Sequence, residues 1–251
     1  MLFTSEPRLR DSVIERDFSV GEIPGILWVP RSASTPAPLI LLGHPGGVRQ
    51  MYPRLAARAR HAAADGFATA TIELPGGPGR PRLAVAEDAR ADMIRALEAG
   101  EPVEADIIDR LVLPLVELAV PEWRATLDAL LALPVIGGPV AYSGGNISIG
   151  LRLAVAEPRI VAAGLFAGSF VPRAILEDAR RVTIPLHVLL QWDDEGNDRQ
   201  MALELFDALG SLEKTLNANL GGHTGVPQHA AEDANRFFVR HLRSRQSGAA
   251  K

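Results

Sequence analysis

The apolar positions change period along the chain, and that change is the first guide to its architecture. Val13 to Val20 alternates in part and Gly25 to Val29 is a short apolar run ended by Pro30, so both read as strands. PLILLGH, opening at Pro38, is a continuous apolar run, the signature of a strand buried on both faces of a parallel sheet. Arg54 to Ala64, rich in alanine and arginine, predicts a helix that stops at Asp65-Gly66, before another apolar run from Phe67 to Leu74. Strand, helix and strand in that order make a parallel crossover unit.

After the glycine- and proline-dense loop PGGPGRPR, helical patterns cover Leu83 to Leu97 and Glu104 to Leu118, and Pro121-Glu122 opens another helix through Leu133. Alternation then resumes: a strand at Pro139, a helix through Ala156, strands Ile160 to Phe166 and Leu186 to Leu190, a helix Met201 to Leu209, a strand Lys214 to Asn217 and a helix Ala230 to Leu242. Repeated βα units with apolar strands predict an α/β fold, a doubly wound, mostly parallel sheet flanked by helices. The expected organisation is one domain over 1–251, with a helical insert at 83–120 after the fourth strand as a partial lid and a frayed tail, SRQSGAAK.

Composition narrows the function classes. The 251 residues are 47% hydrophobic, enough for one sizeable core, and a net charge of −4 with no basic stripe argues against nucleic acid. Without cysteine there is no disulfide framework, thiolate nucleophile or cysteine metal site. MLFTSEPRLR lacks a signal-peptide pattern, and the apolar run Leu111 to Val120 is broken by Pro114 and Glu117, so a cytoplasmic chain with no membrane partner is expected. No HExxH, GxxxxGK[ST] or helix-opening GxGxxG occurs, so no metal and no cofactor are expected. His61, His187, His229 and His241 read as surface or packing residues.

In open α/β sheets chemistry gathers just beyond the carboxyl ends of strands. Four polar clusters fall there: His44-Pro45-Gly46-Gly47, the turn in PVAYSGGNISIG, Trp192-Asp193-Asp194-Glu195, and Gly221-Gly222-His223. Their order is serine turn, acid, histidine. A serine hydroxyl needs a histidine to take its proton, and the histidine needs a carboxylate to fix its tautomer, which suits His223 and Asp194 to those roles. Gly46 and Gly47 could present N–H groups to a developing oxyanion, since Pro45 has none; His44 reads as a support for that loop.

The chain resembles the α/β-hydrolase superfamily, in particular its esterase branch related to dienelactone hydrolases and acyl-peptidases. The resemblance rests on PLILLGHPGG, TIELPGGPGRPR, VPEWRATLDALLALP, PLHVLLQWDDE and EKTLNANLGGH. It implies Asp194 as acid, with Asp193 as runner-up, and His223 as base. It implies a serine hydrolase acting on a small-molecule ester or related acyl bond, of unassigned oligomeric state.

The nucleophile turn departs from the family's G-x-S-x-G in every register. Ser143 sits in A-Y-S-G-G, with Gly144 as the following oxyanion donor; Asn146 sits in G-G-N-I-S; Ser148 sits in N-I-S-I-G. Ser143 as nucleophile is the reading adopted. Asn146 in the seat would give a non-hydrolytic ligand-binding or scaffold protein on the same fold, because histidine cannot activate an amide as it does a hydroxyl. Each residue also has a plain structural role available: Ser143 as a turn residue, Asn146 or the two aspartates as helix caps.

Overall fold

A computed structural model describes residues 1–33, 36–168 and 170–243. The SRQSGAAK tail lies outside them. Ten strands form one sheet: β1 (Leu2–Phe3), β2 (Arg8–Arg10), β3 (Val13–Val20), β4 (Ile23–Pro30), β5 (Ala37–Gly43), β6 (Ala68–Ile72), β7 (Ile136–Gly144), β8 (Ile160–Phe166), β9 (Leu186–Gln191) and β10 (Lys214–Asn219). The order is β1-β3-β4-β6-β5-β7-β8-β9-β10, with β2 beside β3. Pairing is antiparallel from β1 to β6 and parallel from β6 through β10. The sheet is therefore the mostly parallel one that the βα alternation predicts.

Burial explains why the central strands read as unbroken apolar runs. All seven residues of β5 and all five of β6 are buried, because helices cover both faces there. One layer holds α1 (Val48–Ala64) and α7 (Gln228–Phe238), packed on Ile40, Leu42 and Ala141. The other holds α3 (Ala105–Leu131), α4 (Ile147–Ala156), α5 (Arg173–Arg181) and α6 (Arg199–Ala208), over Leu39, Leu41 and Tyr142. Helix α2 (Ala84–Ala99) packs against α3.

Three departures from the sequence reading have identifiable causes. The helices expected at Glu104 to Leu118 and from Pro121 are one 27-residue helix, α3, running through Pro114 and Pro121. Val116, Ala119, Val120, Trp123, Leu127 and Leu130 form one buried face across the second proline, and that packing outweighs the lost backbone bond. Helix α1 begins six residues before Arg54, because the Glu73 carboxylate accepts the Val48 N–H at 2.9 Å and satisfies its first turn. The short strands β1 and β2 carry too few residues to show a period; Arg8 anchors β2 to β3 by bonding Glu15 and Asp17.

At the base of the sheet, the end of α4 is held by charge. Glu157, 2% exposed, accepts from both Arg159 and Arg124. The Arg159 guanidinium, working against burial, holds its carboxyl at about 2 instead of 4.5. A depressed carboxylate stabilises the fold above its unfolded pKa and loses that contribution as pH falls through the folded one. Glu157→Gln is thus expected to lower stability by on the order of 3 kcal/mol at neutral pH, with the deficit shrinking between pH 4.5 and about 2, as urea denaturation across that range would show.

Candidate active site

The acid and histidine loops leave neighbouring parallel strands and are laced together. Trp192 N–H donates to the Asn219 carbonyl at 2.7 Å, Gln191 Nε2 to the Gly222 carbonyl at 3.1 Å, and Gly221 N–H to Asp193 Oδ2 at 3.2 Å. That lacing presents the His223 ring to Asp194, with Nδ1 2.8 Å from Oδ2. The Asp194 side chain is 3% exposed and the His223 side chain 52%, so a buried carboxylate backs an accessible imidazole. Asp193 points into the histidine loop's backbone and makes no bond to the ring.

Burial alone would raise the Asp194 pKa. Hydrogen bonds from Asn197 Nδ2 at 2.8 Å, from His223 and from Gly196 N–H at 2.9 Å outweigh it and hold the carboxyl below its usual range. Because the carboxylate only accepts, His223 Nδ1 must carry the hydrogen, which leaves Nε2 as the outward nitrogen. The edge of Phe166 packs against the ring, centroids 5.5 Å apart.

The nucleophile turn does not bring Ser143 to this pair. Ser143 lies inside β7, and its Oγ accepts from Arg58 Nη2 at 2.8 Å, on the α1 side of the sheet. The turn that follows is made by Gly144 and Gly145, with φ of 80° and 72°. Side chains could not replace either hydrogen: a Cβ at Gly144 would lie 2.9 Å from Arg58 Nη1, and one at Gly145 2.8 Å from the Gly43 backbone. Asn146 then caps α4 from an extended conformation, its side chain accepting the Ser148 N–H at 2.9 Å.

Asn146, Ser148 and His223 line one cleft of about 170 Å³, walled by Val112, Phe166 and Phe170. The Ser143 hydroxyl is thus tied to the Arg58 guanidinium and does not line this cleft, whereas Asn146, the cap of α4, does. Gly144, expected as a donor beside Ser143, does not line the cleft, whereas Gly145 does. Gly46 and Gly47 lie between β5 and α1, with Gly47 capping α1 against Pro78, and neither lines this cleft. His44 is buried, with Nε2 2.8 Å from the Ile72 carbonyl. A larger cavity of about 490 Å³ lies against Glu15, Trp28 and Tyr52 near the antiparallel edge and holds none of the candidate residues. Among the described residues, no group of three or more His, Asp or Glu could hold a metal ion, and no helix is long and apolar enough to cross a membrane.

No protein-family model matches the chain, and no curated protein matches it in sequence. Solved structures do. A cold-adapted esterase from an Arctic intertidal metagenomic library, in its polyethylene-glycol-bound form, superposes with a TM-score of 0.76 at 26% identity, over 96% of this chain and 100% of that one. The chain has the α/β-hydrolase fold. A dienelactone hydrolase from Anabaena variabilis ATCC 29413 is similar over 92% of this α/β-hydrolase chain and 99% of its own, with a TM-score of 0.63 at 18% identity. Acetyl xylan esterase 1 from Thermoanaerobacterium sp. JW/SL YS485 gives 0.62 at 13% identity, over 95% and 86%. At such identities the last two speak for the fold alone.

Sequence reasoning missed two residues of this α/β-hydrolase site. Asn197 carried a weak signal, standing three residues after Asp194 in a helix-capping context. Arg58 carried none, being one of several arginines in an alanine-rich helix. Ser143→Ala removes a charge-assisted hydrogen bond and is expected to lower stability by about 1.5–3 kcal/mol in urea denaturation, while the imidazole NMR signals of His223 stay in place.

Proposed function

We propose that this α/β-hydrolase-fold chain binds a small ester or other acyl compound between Asn146 and His223, without forming an acyl-enzyme on a serine. The observation that carries the reading is the occupant of the turn above α4, an asparagine that shares its cleft with His223. Acyl transfer to serine needs a hydroxyl within about 2.6–3.2 Å of the imidazole. An amide nitrogen gives its lone pair to the neighbouring carbonyl and cannot replace that hydroxyl. The esterase neighbours support an ester-like ligand, and the apolar walls Val112, Phe166 and Phe170 support a small acyl group.

The intact Asp194–His223 pair favours a second reading, slow hydrolysis by water. Nε2 would take a proton from water as its oxygen attacks the acyl carbon, then pass that proton to the departing alkoxide, with Asp194 stabilising the charged ring in between.

A fluorophosphonate probe followed by peptide mass spectrometry is expected to leave the natural chain unmodified, and Asn146→Ser to gain modification at position 146. Modification of Ser143 or Ser148 in the natural chain, abolished by alanine at that position, overturns the reading. Turnover of p-nitrophenyl acetate without labelling, falling about a hundredfold in His223→Ala, selects water attack over binding alone.

A further inference from the structure

The same cleft says more about its ligand when its hydrogen-bonding groups are sorted by direction. The Ser148 backbone N–H can only donate, so the Asn146 atom it meets at 2.9 Å must be the carbonyl oxygen; an amide flip would set donor against donor. Asn146 therefore turns its Nδ2, with two N–H groups, away from the helix. The same logic at His223 fixes Nδ1 as the N–H facing Asp194 and leaves Nε2 outward. Among the described residues no carboxylate side chain lines the cleft, and Asp194 lies behind the ring. The amide and the imidazole both stand at the amino end of α4, whose dipole favours negative charge.

Size limits what can occupy that place. At about 170 Å³ the cleft is smaller than the roughly 300–1,000 Å³ of pockets for drug-sized ligands and suits a small molecule. Apolar walls from α3 and from the segment after β8 take the hydrocarbon end.

Resting on the reading that Asn146 occupies the seat, we infer that the cleft is a binding site for a short-chain monocarboxylate of butyrate size. One carboxylate oxygen accepts from Asn146 Nδ2 and the other from His223 Nε2, to which the carboxylic acid gives its proton on binding, while the alkyl tail lies between Val112 and Phe166. Such a ligand is the acid that ester cleavage releases, and the site holds it because the group that would attack an ester has become a donor. Binding is reversible and makes no covalent bond.

Titration of the full chain with butyrate, read by calorimetry and by the imidazole signals of His223, tests this. Butyrate is expected to bind saturably and its neutral isostere butyramide about tenfold or more weakly. Asn146→Asp keeps the cap on Ser148 N–H but turns an acceptor toward the ligand, and is expected to weaken butyrate about tenfold or more with thermal stability unchanged. Butyramide binding as well as butyrate, an Asn146→Asp variant binding normally, or no saturable shift with butyrate would each overturn the assignment. Should Asn146→Ser gain fluorophosphonate labelling while the natural chain ignores butyrate, the seat stands and the carboxylate ligand falls.

Discussion

Beneath the turn that leads into the cleft, the guanidinium of Arg58 donates to the Gly43 carbonyl at 3.3 Å, and to the Ser143 carbonyl and hydroxyl at 2.8 Å each. These are the ends of β5 and β7, the two strands from which the His44 loop and the Asn146 turn depart. Removal from water lowers its pKa to about 10 without neutralising it at physiological pH, and no carboxylate bonds to it. A half-buried charge bonded to carbonyls and a hydroxyl is costly to misplace, since each lost partner leaves an unpaired donor. Its position therefore constrains both loops, and through Gly144, which has no room for a Cβ beside it, the backbone path to Asn146.

The fold was largely readable because sheet burial leaves a strong trace. β5 appears as an apolar run at nearly its observed limits, and β8 and β3 at theirs. Readability failed where tertiary contacts override local preference. Prolines 114 and 121 read as breaks, yet the helix that contains them continues because its buried face is uninterrupted. Helix α5 left little trace, nine polar-rich residues between two loops.

The site divided along the same line. Asp194 and His223 were legible because each follows a well-defined strand; the two strands are neighbours, and the bonds between their loops bring the pair together. The serine register was not legible, because a shift of three residues in PVAYSGGNISIG changes neither composition nor apolar period. Two structural facts bear on it, one of them outside that stretch: the partner Arg58 offers to Ser143, and the left-handed Gly144 and Gly145, after which α4 starts at Ile147. Those glycines also take up the strain of the strand-to-helix turn, leaving Asn146 at an ordinary φ of −72°. In an active serine elbow the nucleophile itself occupies the strained position.

Capping does not explain why position 146 is asparagine. Serine caps a helix about as well, and its hydroxyl could accept the same Ser148 N–H. The two differ on the side facing the cleft. A serine that caps through its oxygen keeps one O–H that the imidazole of His223 could deprotonate, whereas an asparagine that caps through Oδ1 keeps two N–H groups that it cannot. The residue therefore does the same work for α4 as a serine would while reversing what the cleft offers, from a potential nucleophile to a fixed donor. A His–Asp pair beside such a donor can still exchange a proton with water or hold an anion, and the chemistry left to this α/β-hydrolase fold lies between those two uses.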